Sequence, residues 1–124
     1  MKGFLDFDLS PYVSLKLIRS DDELLDDSHA CVVDTGLSGF LYLPEDRIAA
    51  WNLPFLSSVP VVLANRIDVI ADAYECSVSW FGVPLPGAFL AGPSGCDSLV
   101  GMELLKGCRI ELDVDAREVR IELL

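Results

Sequence analysis

Apolar and polar residues alternate along most of the chain. In "VSLKLI", Val13, Leu15 and Leu17 fall on one side and Ser14 and Lys16 on the other, the two-residue period of a half-buried strand. "ACVVD" predicts a second strand, and the charged stretch between them, Arg19 to Ser28, reads as a solvated hairpin loop. "FLYL" then leads into "PEDRIAAWNLP", which predicts one short helix: Pro44 suits a first helical position, Glu45 and Asp46 the first turn, and Pro54 follows the end. "VPVVLA" and "RIDVIADAYECSVSW" predict a long hairpin with its tip near Ala64 to Arg66, where Asn65 tolerates positive φ. "GVPLPGAFLA" predicts a further strand, interrupted by Pro86 and Gly87. A short helix from about Met102 to Lys106 is expected to stop at Gly107. Ile110, Leu112 and Val114 alternate, as do Val119, Ile121 and Leu123, which predicts a closing hairpin around Asp115 and Ala116. With no domain-sized repeat and no linker, residues 1–124 are expected to form one all-β domain, a small antiparallel barrel or sandwich with one or two helical turns.

Charge narrows the function. Twenty acidic against nine basic residues give a formal charge of −11, and no Lys/Arg cluster offsets it, so neither nucleic acid nor an anionic membrane is an expected partner. The start, "MKGFLDFDLSPY", is broken by Asp6 and Asp8 and lacks the apolar core of a secretory signal, and no apolar run approaches a membrane span; the expectation is a cytoplasmic protein. Cys31, Cys76, Cys96 and Cys108 are widely spaced, with His29 the only imidazole, so they are read as core thiols and no metal or cofactor is expected. The acid run Asp21, Asp22, Glu23, Asp26 and Asp27 lacks the spacing and glycine turn of a calcium loop. His29, an odd offset from Asp34 along a strand, is expected to be a surface or loop residue, and Trp51 and Trp80 core or interface anchors.

One stretch carries chemistry. In "CVVDTGLSGFLYLP" an ionisable Asp34 follows two valines directly, and an unpaired carboxylate in such a strand would be costly. Thr35 can hydrogen-bond to a neighbouring backbone and Gly36 lets the chain turn while another backbone approaches, so the turn displays the carboxylate. As a bare string the triplet is also compatible with an ordinary strand-ending turn.

Its context is more specific. "VVDTGLSGFLYLP" has two apolar residues, Asp-Thr-Gly, a short polar stretch and an apolar strand; "SLVGMELLKGCRIELDVDAREVRIEL" has apolar-apolar-Gly, a short helix and a terminal hairpin. In these two motifs, their order and the hairpin between them, the chain from about Val13 onward resembles the retropepsin-like aspartic proteases, the single-domain retroviral-type family. The resemblance implies an acid-protease barrel with one or two short helices, closed by a C-terminal hairpin. It implies an endopeptidase acting on a peptide or protein substrate, with two carboxylates sharing a proton. Because the chain has one Asp-Thr-Gly, it also implies a homodimer with one Asp34 from each subunit.

By the same resemblance Asp34 is the catalytic residue, Thr35 braces the dyad across the dimer axis, and Gly36 contacts substrate backbone. Leu99, Val100 and Gly101 would pack behind the active-site loop, Asn65, Arg66 and Ile67 would belong to a flap over substrate, and Ile67 to Ala71 would be flap strand. Two departures occur together. Leu37-Ser38-Gly39 stands where retroviral enzymes have a small residue and then acids, and Met102 stands where they have an arginine that pairs with one of those acids. Losing both partners strands no charge and suggests a bacterial-type branch. Two alternatives stay open: a catalytically silent dimerisation or binding module of the same fold, and an unrelated β domain that contains the triplet.

Overall fold

The computed structural model describes residues 1–62 and 65–124. Its elements in chain order are β1 (Lys2–Leu5), β2 (Pro11–Ile18), β3 (Leu24–Val33), β4 (Leu41–Pro44), α1 (Glu45–Trp51), β5 (Phe55–Val62), β6 (Asp68–Trp80), β7 (Val83–Gly92), β8 (Leu99–Val100), α2 (Met102–Leu105), β9 (Cys108–Asp113) and β10 (Glu118–Leu123). The strands form one sheet in the order β5-β6-β7-β4-β8-β3-β2-β1-β10-β9, and a further β6–β2 pairing closes six of them into a ring. This is the all-β architecture expected, with two short helices.

The alternation decides what fills the ring. Val13, Leu15 and Leu17 of β2 are buried, and Cys31, Val33, Leu41, Leu43, Val78, Phe89 and Val100 meet them. Each such side chain stabilises the fold by about 1.5–3 kcal/mol relative to leaving it in water. In the closing hairpin neither strand follows the pattern fully: Val119 and Ile121 of β10 are buried, but Leu123 at the end of the same strand and Leu112 of β9 are exposed, and Val114 lies in the turn.

Several local expectations need correction. The loop expected over Arg19 to Ser28 is only a tight turn: Arg19 N–H donates to Glu23 O, its guanidinium pairs with Asp21 and Glu23, and β3 already begins at Leu24. Strand β3 continues through the acid run because Asp26 and Leu24 pair with Leu17 and Ile18, with register shifts on the way. Pro44 is the extended N-cap of α1 (φ −64°, ψ 140°), one residue ahead of the first helical position. Pro86 and Gly87 do not interrupt β7. Over Val83–Ala88 that strand pairs with β6 alone, since β4 joins only at Phe89, so Pro84 and Pro86 can turn their ring nitrogens to the open side. Gly87 is required there, because a Cβ would lie 2.5 Å from the Phe40 ring. Strand β1 has no counterpart in the expectation. The Ala64 end of the expected hairpin tip lies outside the described residues; Ile67 precedes β6 and belongs to the turn.

Candidate functional site

The Asp34 turn rests on a crossed arrangement of three strands. The short β8 lies between β3 and β4, parallel to the first (Val32↔Leu99, Val33↔Val100) and antiparallel to the second (Leu41↔Val100, Tyr42↔Leu99). As β3 ends at Val33, the Asp34 N–H donates to Val100 O at 2.9 Å, which carries the pairing one residue further and fixes where the carboxylate emerges. Asp34 is half-buried, Thr35 and Gly36 are exposed, and Leu37 is fully buried as the anchor of the turn. Asp34 Oδ1 accepts from the Gly36 N–H at 2.9 Å, and Leu37 N–H donates to Asp34 O at 3.2 Å. In this self-bonded turn the carboxylate holds the backbone that presents it.

The far side of the turn is held from α2. Met102 N–H donates to Leu37 O (2.8 Å), Glu103 N–H to Gly39 O (3.1 Å) and Gly101 N–H to Phe40 O (3.0 Å). Gly101 has to be glycine: a Cβ there would stand 2.0 Å from the Gly39 carbonyl oxygen. The structure thus brings Leu99, Val100 and Gly101 directly behind the Asp34 turn.

A cavity of about 400 Å³ opens over the turn, lined by Thr35, Gly36, Leu37, Ser38, Val62, Arg66 and Met102. A second, of about 240 Å³, begins on the other side of Ser38 and runs between β5, β7 and Glu103. Of the three expected flap residues, Arg66 lines the first cavity, while Asn65 and Ile67 are exposed and do not. Asn65 Oδ1 accepts from the Ile67 N–H at 3.0 Å, and Arg66 between them is left-handed (φ 63°), so the tip closes as a side-chain-mimicked turn.

Ser38, Val62 and Met102 are cavity residues to which sequence reasoning assigned no lining role. Ser38 and Val62 are joined by two long contacts, Ser38 N–H to Val62 O (3.5 Å) and Val62 N–H to Ser38 Oγ (3.4 Å). They stitch the tip end of the β5–β6 hairpin, at the last residue of β5, to the Asp34 turn of the same chain. A hydroxyl two residues after the triplet was the available signal.

His29 is not the surface or loop residue expected. It lies within β3 with a side chain only 11% exposed, its Nδ1 2.9 Å from Asp26 Oδ2 and its Nε2 2.7 Å from Ser98 Oγ. Burial acts to raise the Asp26 carboxyl, but hydrogen bonds from His29 and the Ser28 N–H outweigh it and hold the group below its ordinary value. The four cysteines are free thiols. Cys31 and Cys76 are buried, and burial pushes them up to about 12 and about 11, whereas Cys96 and Cys108 are half-exposed.

Among solved structures the chain is similar to one described as the crystal structure of a retropepsin-like aspartic protease from Rickettsia conorii. The identity is 18%, the match covers 96% of this chain and 86% of that one, and the TM-score is 0.57. No protein-family model and no curated protein matches the chain. The chain therefore has a retropepsin-like fold, and the likeness includes the N-terminal residues before Val13. No helix among the described residues is long and apolar enough to cross a membrane.

Proposed function

We propose that this chain is one half of an aspartic endopeptidase, a single 1–124 domain whose active site is completed when two copies bring their Asp34 turns together. The observation that carries the reading is the Asp34 carboxylate itself. It stands half-buried at the end of a braced strand, beside an open cavity, with only Oδ1 engaged within its own chain among the described residues. A second Asp34 meeting it would convert two costly charges into a pair sharing one proton. The ionised member takes a proton from a water as it attacks the scissile carbonyl. The protonated member hydrogen-bonds the carbonyl oxygen as charge develops there.

In this reading Thr35, exposed beside the carboxylate, braces the pair across the two-fold axis, and Gly36 offers backbone to an extended peptide. Asn65, Arg66 and Ile67 form the tip of a hairpin closing over that peptide. The substrate is a peptide or protein, with no cofactor or metal. Four free thiols, two of them deep in the core, support a reducing, cytoplasmic setting.

The test is cleavage of a mixed peptide library between pH 4 and 7, read by mass spectrometry. Asp34→Asn is expected to lower turnover by about a thousandfold or more with the circular dichroism spectrum unchanged. Equal cleavage by the variant overturns the mechanism. A second reading, a silent binding or dimerisation module, is favoured by Leu37-Ser38-Gly39, which puts a serine tied to Val62 and a glycine where acids would face substrate. A dimer with no turnover against any peptide selects it.

A further inference from the structure

The hydrogen-bonded chain Asp26–His29–Ser98 takes no part in the chemistry proposed above, yet it ends on the strand that supports Asp34. Asp26 and His29 belong to β3, and Ser98 immediately precedes β8. Ser98 is the buried polar residue of the molecule among those described, at 8% exposure. Its carbonyl accepts the Val32 N–H at 2.8 Å, and two residues further on Val100 O receives the Asp34 N–H at 2.9 Å. The Trp51 ring of α1 stands edge-on to the imidazole at 5.5 Å and fixes its plane.

An acid, an imidazole and a hydroxyl in this order have the form of an activated nucleophile. Here Ser98 is only 8% exposed and lines neither cavity at the Asp34 turn, which leaves its hydroxyl little access to an acyl group. What the arrangement does accomplish is full satisfaction of three polar groups at the β3–β8 junction. In the relay proposed here, His29 Nδ1 carries the ring proton and donates it to the Asp26 carboxylate. Nε2 then accepts from the Ser98 hydroxyl. Removing the ring would strand a carboxylate and a hydroxyl together.

We propose that Asp26, His29 and Ser98 are positioning residues that set the register of β8 against β3, and through the Val100 carbonyl fix the height of the Asp34 turn. The groups facing the imidazole are Asp26 on its own strand, Ser98 before β8 and Trp51 on α1. Arg47 of α1 adds attraction at Asp26, and the Cys31 thiol, next on the same strand face, stays protonated. The kinetic consequence rests on the proposed proteolysis; the structural one does not.

The experiment has an arm for each. In the wild-type chain of residues 1–124, long-range nitrogen–proton correlation spectra of His29 at pH 7.5 should show the proton on Nδ1 and an accepting Nε2. The opposite tautomer, or an averaged ring, overturns the relay without any variant. In Ser98→Ala the backbone amides of Asp34 and Val100 should shift, and Ser98→Thr, which keeps the hydroxyl, should restore them; unmoved amides in Ser98→Ala overturn it. Where peptide is cleaved, Ser98→Ala should lower kcat about tenfold at unchanged KM, as expected of a displaced reacting group, with recovery in Ser98→Thr. An unchanged kcat contradicts the proposal. A wild type that cleaves nothing removes the proteolytic reading alone, and the tautomer and amide shifts still decide the relay. Labelling of Ser98 by a fluorophosphonate would replace positioning with nucleophilic chemistry and overturn it.

Discussion

The Asp34 turn and the tip of the β5–β6 hairpin face each other across one cavity and are built in opposite ways. The turn is held on both flanks, from β8 through Val100 and from α2 through Met102 and Glu103, with Leu37 sealed beneath it. Among the described residues, the tip has one Asn65 side-chain bond, a left-handed Arg66 and the two long Ser38–Val62 contacts to the turn, and Ile67 and Ile70 lie open to solvent. A group that must meet its twin at a fixed place needs a rigid mount. A cover that must admit a chain needs few contacts to break. In the function proposed above, the two ends of the cavity would divide these requirements between them.

The largest effect is expected where the mount has no slack. Gly101→Val would drive a Cβ into the Gly39 carbonyl, and a loss of about 4 kcal/mol or more is expected, seen as unfolding or insolubility on expression. A folded, equally stable variant would show that the α2 side does not hold the turn. Leu37→Ala empties the socket under the turn and should cost about 2–5 kcal/mol in urea unfolding. Ile67→Ala at the tip is expected to change stability by no more than about 0.5 kcal/mol, because the side chain is already exposed. It should instead raise KM for peptide severalfold at constant kcat. A large stability loss there would erase the contrast between mount and cover.

The smallest effect concerns pH. The Asp26 carboxyl is held below its ordinary value in the folded chain, so its contribution is present above that value, near 3.8, and fades as pH falls through the depressed one. With the carboxylate about a third exposed, solvent screening keeps this contribution to less than about 1 kcal/mol. Urea midpoints for wild type and Asp26→Asn should therefore converge as pH falls from about 4 through the depressed value. A gap that widens toward acid would contradict this assignment.

Much of the mount was legible in the sequence because it is local. Two valines before Asp34, a glycine after it and Leu-Val-Gly before a short helix each state a backbone requirement at one position, and the structure meets them at Val100 and Gly101. The alternation of Val13, Leu15 and Leu17 marked the core for the same reason. What escaped depends on residues far apart in the chain. Strand β1 buries only Leu5 and exists because Gly3 pairs with Val119 and packs so closely on Tyr12 that a Cβ would stand 1.9 Å from its carbonyl. The acid run hid the start of β3, since Asp21 and Glu23 are partnered by Arg19 and Asp26 by His29, and the run does not prevent pairing with β2. His29 itself looked like a surface residue because its second partner, Ser98, lies 69 positions away.

The most direct measurement of the central claim is subunit mixing. Wild type and Asp34→Asn are combined in varying ratios at constant total concentration, allowed to exchange, and assayed on one cleaved peptide. A site made of two Asp34 carboxyls predicts activity falling with the square of the wild-type fraction, because a mixed dimer holds only one of them. Activity proportional to the wild-type fraction would mean that each chain works alone, and the shared site would be refuted.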